Sequence, residues 1–332
     1  MSNLVVKIKH NTDLSDSLSK AVKIANFAIK NRHKLSSANV SDIGLPSAIS
    51  NQVLRKYGKN KKCKRIKPEN IKLVAPSQSI KVNGNNITIT PLKLNITIDP
   101  KCKHIITKVN QIELDHTYAY VCFEANDEPL KEVQNYIGVD LNATSHIAVV
   151  GNPRTGKILK LGKKASHIHK KYKALRSDLQ KKKLYKKLKE TKGKESRIVK
   201  DINHKISKAI VEYAKENNAG IKLEDLTGIR KNKKNTKTFR YTLNSWSYYQ
   251  LGIMIAYKAQ LLGIPVQYID PRNTSKKCSW CENIGNRRGK LFKCGYCNHT
   301  DHADVNASFN IALTPGMIIC GEKEIAANGY TA

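Results

Sequence analysis

Two Cys-x-x-Cys pairs, Cys278/Cys281 and Cys294/Cys297, stand in the last third of this 332-residue chain with twelve residues between them. Four thiolates in two knuckles, joined by a loop long enough to fold back, make the tetrahedral sulfur set that closed structural zinc sites use. Just beyond them the stretch from Asp304 to Ala312 mixes Val305, Ala307, Phe309 and Ile311 with Asn306 and Asn310 and reads as a short helix opening on an acid. On its own Asp304 would be a helix-start residue, favoured there electrostatically. Two earlier apolar stretches also end on carboxylates. From Tyr136 to Asn142, Ile137, Val139 and Leu141 share one strand face and Asp140 takes the other. From Gly220 to Leu226, Lys222 and Glu224 share the face opposite Ile221 and Leu223, which favours Glu224 over its neighbour Asp225. Singly each acid is a solvated strand end. Together, on two strands and a helix start, the three form a candidate constellation.

The elements that must position them follow from periodicity. After Asp140, Ile147 to Val150 and Lys157 to Leu161 are separated by a turn over 151–156 and complete a three-stranded meander. Between the first two acids lies the most basic part of the chain: residues 163–200 hold sixteen Lys or Arg against three Asp or Glu, over an apolar stripe of Ile168, Tyr172, Leu175, Leu179 and Leu188. Charges that do not alternate in sign repel one another along a helix, so this face calls for a phosphate partner. A second helix is expected from about Ser196 to Glu216, buried through Val199, Ile202, Ile206, Ala209 and Tyr213. A basic loop over 230–237 is either a nucleic-acid contact or a surface tip.

The first third reads as strand, helices, strands. Leu4 to His10 alternates; Leu14, Leu18, Val22, Ala25 and Ile29 recur at helical spacing; a second helix is expected from Pro46 to Tyr57, with Pro in its first turn and Gly58 past its end. Its polar face runs into the basic segment Arg55 to Arg65. Asn83-Gly84 between two alternating runs signals a hairpin, and Lys93 to Ile98 and Ile112 to Glu124 are expected to extend its sheet.

Lys and Arg number 60 against 26 Asp and Glu, a formal net charge of +34 with a pI near 9.8. Such an imbalance opposes compaction and implies a polyanionic partner. No apolar run approaches the roughly 18 to 20 residues of a membrane span, and no signal peptide opens the sequence, so nucleic acid is expected rather than membrane, in a cytoplasmic, nucleoid-associated setting. A reducing compartment suits the eight cysteines, with Cys63, Cys102, Cys122 and Cys320 as ordinary thiols.

GVDLN around Asp140, LEDL around Glu224, DPRNTSKKCSWC before the knuckles and ADVNASFNI after them occur in the order in which the TnpB family carries its split nuclease motifs and zinc ribbon. The chain resembles that family of transposon-encoded, OrfB-type proteins, relatives of the type V CRISPR effectors, and Asn244 to Asp270 resembles the helix and strand ahead of the ribbon. The resemblance implies an α/β, RNase H-like (RuvC-like) nuclease domain with an inserted zinc ribbon, preceded by an α+β lobe, mainly β with short helices. The implied boundaries are 1–135 for a wedge and recognition lobe, 136–277 for the nuclease core with its basic hairpin, 278–297 for the ribbon, 298–318 for the last nuclease helix and 319–332 for a tail.

It further implies an RNA-guided endonuclease that cuts double-stranded DNA beside a short adjacent motif. The guide RNA comes from the transposon end, and a separate transposase is a possible partner from the same element. Three converging carboxylates repel unless neutralised, so Mg²⁺ is expected, with Asp140 as the bridging ligand and Glu224 and Asp304 each completing one ion's shell. Two other readings stay open: a cleavage-impaired guided DNA-binding regulator, and an unguided transposase-type strand transferase. The sequence departs from the family where Glu282 and Asn298 follow Cys281 and Cys297 in place of glycine, which puts the knuckle turns in question. His302-Ala303 replaces an Arg-Asp pair. His299 and His302 are near enough to be substitute ligands or phosphate contacts, but four cysteines leave no vacancy.

Overall fold

A computed structural model describes residues 2–32, 35–60, 63–98, 106, 108–229, 243 and 246–318. The basic loop expected over 230–237, Cys102, Cys320, Asn244, two lysines of the first basic segment (Lys61 and Lys62) and the 319–332 tail lie outside the described residues. The chain divides into two units, Met1–Asn126 and Asp127–Ala332.

In the first unit β1 (Ser2–Lys9) is followed by α1 (Ser15–Asn31) and α2 (Ser47–Gly58), then β2 (Leu73–Pro76), β3 (Ile80–Asn83), β4 (Asn86–Ile89), β5 (Leu94–Thr97), β6 (Val109–Leu114) and β7 (Tyr118–Ala125). α1 buries Leu18, Ala21, Ile24, Ala25, Ala28 and Ile29, the stripe that its 3.6-residue period requires. The strands form two antiparallel sheets, β1-β7-β6-β2 and β3-β4-β5. This corrects the expectation of one extended sheet. The run Ile112 to Glu124 breaks at Asp115, whose Oδ1 accepts the N–H groups of Thr117 and Tyr118 at 2.8 and 2.7 Å. That side-chain turn makes a hairpin of its own, which pairs with β1 and leaves the Asn83-Gly84 hairpin to β5.

The second unit is built on a six-stranded mixed sheet. β8 (Tyr136–Leu141), β9 (Ala148–Gly151) and β10 (Ile158–Leu161) form the antiparallel meander; α3 (Lys163–Lys181), α4 (Tyr185–Glu190) and α5 (Lys194–Glu216) lead to β11 (Gly220–Glu224), then α6 (Tyr248–Leu261) and β12 (Val266–Ile269). The sheet order is β10-β9-β8-β11-β12-β16, with β8, β11 and β12 parallel and the edge strand β16 (Met317–Ile318) antiparallel to β12. Ile137, Val139, Ile221 and Leu223 meet α5 and α6 through Ile206, Ile210, Leu251 and Ile255 in the main core.

The opposite face is covered by α7 (Ala303–Leu313), of which nine residues are buried. Only a sheet without side chains at two points admits it. A Cβ at Gly138 would lie 2.0 Å from the Ser308 carbonyl, and one at Gly151 would lie 2.5 Å from Ser308 Oγ. Gly138→Ala is therefore expected to push α7 off β8 and cost about 3 kcal/mol or more, measurable by denaturant unfolding; an unchanged midpoint would mean that the helix is not seated there. The expected helix over 298–318 is also corrected. α7 stops at Leu313, because Thr314 is extended ahead of Pro315, and the next residues become β16.

The basic stretch forms a hairpin of α3, α4 and α5. Its arms are joined through Glu195, which binds His169 Nδ1 at 2.6 Å and Arg176 at 2.5 Å. On α5 the buried stripe is Val199, Asn203, Ile206, Ile210 and Ala214, not one through Ala209 and Tyr213. Two polar residues can be buried on this stripe because α6 supplies partners. Asn203 donates to Ser247 and Gln250 at 2.8 and 2.9 Å, and Lys258 donates to Ser207 Oγ and the His204 carbonyl, both at 2.6 Å. Among the described residues no helix is long and apolar enough to cross a membrane.

Candidate functional site

The two knuckles close on one another. β13 (Asn286–Arg288), β14 (Leu291–Lys293) and β15 (Thr300–His302) form a three-stranded antiparallel ribbon whose small core is Phe292, Cys278, Cys294 and Ala303. Cys278 Sγ lies 3.6 Å from Cys297 Sγ and Cys281 Sγ 3.5 Å from Cys294 Sγ, and all four sulfurs are within 4.8 Å of one another. They are positioned to hold a metal ion. The Asn283 backbone N–H, ahead of contributions from the adjoining thiols, pulls Cys281 down to about 6. Cys297 receives the His299 N–H, which lowers it, yet the adjoining sulfurs push it up to about 12. Four thiols this close cannot all ionise unaided, so the donor set fits a shared cation.

The turn geometry in question is retained without glycine: Glu282 has φ 62° and Asn298 φ 59°. Asn tolerates the left-handed region better than Glu, which carries about 1 kcal/mol of strain there. Glu282→Gly is expected to recover about that much, seen as slower metal loss to a chelator; equal loss rates would show that the turn is unstrained. Neither histidine joins the sulfur cluster. His299 stacks on Trp280 with centroids 4.4 Å apart, and His302 Nδ1 accepts the Asp304 N–H at 3.3 Å, capping α7.

The three acids come to the same end of the sheet. β8 and β11 run parallel with Leu223 opposite Val139, so Glu224 and Asp140, one residue further along, leave neighbouring strands side by side. Asp304 enters from the first turn of α7. Asp140 is 8% exposed, and burial followed by the charges of Glu224 and Asp304 raises its carboxyl to about 7. Burial also raises Glu224, against a hydrogen bond from Thr274 Oγ1 at 2.5 Å. Asp225 turns away, accepting the Thr227 N–H at 3.0 Å.

Several residues that the sequence reading passed over hold this arrangement. Asn142 Nδ2 donates to Asp140 Oδ2 at 2.7 Å. From the ribbon, Lys290 Nζ reaches Asp304 Oδ2 at 2.5 Å and Arg287 reaches Oδ1 at 3.3 Å. The strap before the first knuckle is tied to α7: Asn306 accepts the Ser279 N–H and donates to the Lys277 carbonyl, at 2.9 and 2.7 Å, while Asn310 donates to the Thr274 and Lys277 carbonyls, both at 2.7 Å. The signal for the asparagines was their spacing, one turn apart on an otherwise apolar helix. Nothing local marks Thr274 or Lys290, because their partners are distant in sequence.

Residues 248–311 match the family model described as Cas12f1-like, TNB domain. A TnpB-like protein of Methanocaldococcus jannaschii is 35% identical over 194 residues, 54% of this chain and 69% of that protein. The CRISPR-associated endodeoxyribonuclease Cas12f1 of Sulfoacidibacillus thermotolerans is 45% identical over 115 residues, 33% of this chain but only 26% of that longer protein. A solved Cas12f1–sgRNA–target DNA complex superposes with a TM-score of 0.46 at 18% identity, covering 94% of this chain and 99% of that one, a likeness too loose to transfer individual residues. With the knuckles, the strand-end acids and the matched length together, this chain belongs to the TnpB family, related to the type V CRISPR effectors.

Proposed function

We propose that the chain is a transposon-associated, RNA-guided DNA endonuclease that cuts double-stranded DNA beside a short adjacent motif, with Asp140, Glu224 and Asp304 as its reacting acids. The observation that carries this reading is the convergence of three acids, Asp140 and Glu224 at the ends of paired parallel strands and Asp304 in the first turn of α7, with Asp140 and Asp304 buried. A cluster of acids that repel one another in a buried position costs stability and is a mark of a functional site. The sheet order, a meander of three strands joined to two parallel strands with helices on both faces, supports an RNase H-like (RuvC-like) core over 136–277 and the final helix.

Hard carboxylate oxygens at a site also meant for phosphate suit Mg²⁺, which when bound would acidify a water and offset charge on the phosphate. Asp140 is the shared acid, between the strand of Glu224 and the helix of Asp304. Thr274 orients Glu224, and Asn142 orients Asp140. Lys290 and Arg287 pair with Asp304 and offset its charge. At the four cysteines we assign structural zinc, which the all-sulfur donor set favours. The net charge of +34 and the basic hairpin suit a guide RNA and its heteroduplex with DNA, at the nucleoid in the cytoplasm. Residues 1–135 are assigned to guide binding and adjacent-motif recognition.

The test is to express the chain with its native flanking DNA, sequence the RNA that copurifies, and challenge a plasmid library carrying the matching target in Mg²⁺. Cutting that needs the RNA, a fixed flanking sequence and Asp140 is the expected result. RNA-dependent binding without cutting points instead to a regulator. Absence of any defined RNA overturns the guided reading in favour of an unguided strand transferase.

A further inference from the structure

α7 carries Asp304, and its position along its own axis decides where that carboxylate stands. Asn306 and Asn310 tie the middle of the helix to the strap over 274–279, and it meets the strands at Gly138 and Gly151, where a Cβ would run into Ser308. Its C-terminal end lacks the usual closure. Thr314, the capping residue, is extended (φ −64°, ψ 134°); its N–H and Oγ1 both donate to the Asn310 carbonyl, at 2.9 and 2.8 Å, and no left-handed residue folds the chain back over the carbonyls that follow.

Lys222 supplies the closure. It sits on β11 two residues before Glu224, is 7% exposed, and its Nζ donates to the carbonyls of Ala312 at 2.9 Å and Thr314 at 2.7 Å while lying 4.7 Å from the Tyr136 ring centroid. A cation is favoured at a helix C-terminus, where the peptide dipoles leave partial negative charge. The strand that holds Glu224 is thereby tied directly to the far end of the helix that holds Asp304.

We propose that Lys222 is a positioning residue that sets the axial register of α7 and so the spacing of Asp304 from Glu224 and Asp140. The inference rests on the reading of those acids as a cation-binding site. It assigns Lys222 no contact with substrate.

Mg²⁺ titrations of thermal unfolding test it, with wild type, Lys222→Met, Lys222→Gln and the core variant Val211→Ala compared at one pH. Lys222→Met keeps the aliphatic stem and removes the ammonium; Lys222→Gln keeps an N–H donor able to reach one carbonyl. The expected result is that Lys222→Met binds zinc like wild type but needs about tenfold more Mg²⁺ for half of its stabilisation, with Lys222→Gln between them. Val211→Ala is expected to melt lower at every Mg²⁺ concentration with an unchanged half-saturation point. A merely structural lysine would behave like Val211→Ala, and that result overturns the proposal. If Lys222→Met does not fold, Lys222→Gln decides on the same criterion. A wild-type chain with no response to Mg²⁺ overturns the cation-site reading itself and this assignment with it. Loss of response in the Lys222 variants alone supports the assignment whether or not the protein cuts DNA.

Discussion

Asp140→Asn is expected to raise the melting temperature of the metal-free protein at pH 7.5 by several degrees, up to about 10 °C, while reducing Mg²⁺-dependent DNA cleavage on the order of a thousandfold or more. The two effects have one cause. The Asp140 carboxyl has an ordinary value of 3.8 and is raised to about 7 in the folded protein, by burial first and then by Glu224 and Asp304. Between those values the folded chain holds a proton that the unfolded chain has lost, so stability falls as pH rises from about 4 to about 7 and the penalty is complete above that. An elevation of about three pH units corresponds to about 4 kcal/mol. The neutral amide removes the penalty and with it the acid that a cation needs. Melting curves from pH 4 to 8, with and without Mg²⁺, check this: wild type should lose stability with rising pH in chelator and regain it in Mg²⁺, and Asp140→Asn should lose less, keeping only the part that belongs to the buried Glu224, and regain less. A flat wild-type profile would refute the account of a repelling acid cluster.

Removing the ribbon metal, by Cys294→Ser or a strong chelator, is expected to lower cleavage by more than about a hundredfold, although no cysteine touches the acids. The ribbon core is only Phe292, Cys278, Cys294 and Ala303, too little apolar surface to fold alone, and structural zinc typically contributes about 10 kcal/mol to such a module. Losing it frees the strap. The Lys277 and Thr274 carbonyls and the Ser279 N–H then no longer hold Asn306 and Asn310, and the Thr274 hydroxyl no longer orients Glu224. The exposed but stacked Trp280 reports the loss of the ribbon by fluorescence, and the unit Met1–Asn126 should retain its own unfolding transition. Undiminished cutting by a zinc-free protein would show that the acids are positioned without the ribbon.

Much of this was legible before any coordinates. The knuckles, the strand-end acids and the helices α1 and α2 are written in short-range spacing, either two residues for strands and knuckles or 3.6 for helices, and such signals need no partner to be read. The +34 charge and the lysine-rich stretch likewise pointed toward a polyanionic partner from composition alone. Strand alternation favoured Glu224 over Asp225, and in the structure Glu224 accepts the Thr274 hydroxyl while Asp225 accepts the Thr227 N–H.

Tertiary structure decided what depends on meeting a distant backbone. The run from Ile112 to Glu124 became two strands of another sheet because Asp115 turned on its own N–H neighbours. The α5 stripe rotated to bury Asn203 and Ser207 because α6 offered partners for them. Gly138, Thr274 and Lys222 look ordinary in the sequence. Their importance comes from a helix backbone lying directly on a strand, from a carboxylate 50 residues away and from carbonyls 90 and 92 residues away. The sequence alone determined which residue types exist to do chemistry and on which local elements they stand. Only the folded chain decided which of them share one low-dielectric space, because burial and hydrogen-bond geometry belong to contacts between elements and leave no periodic trace within any one of them.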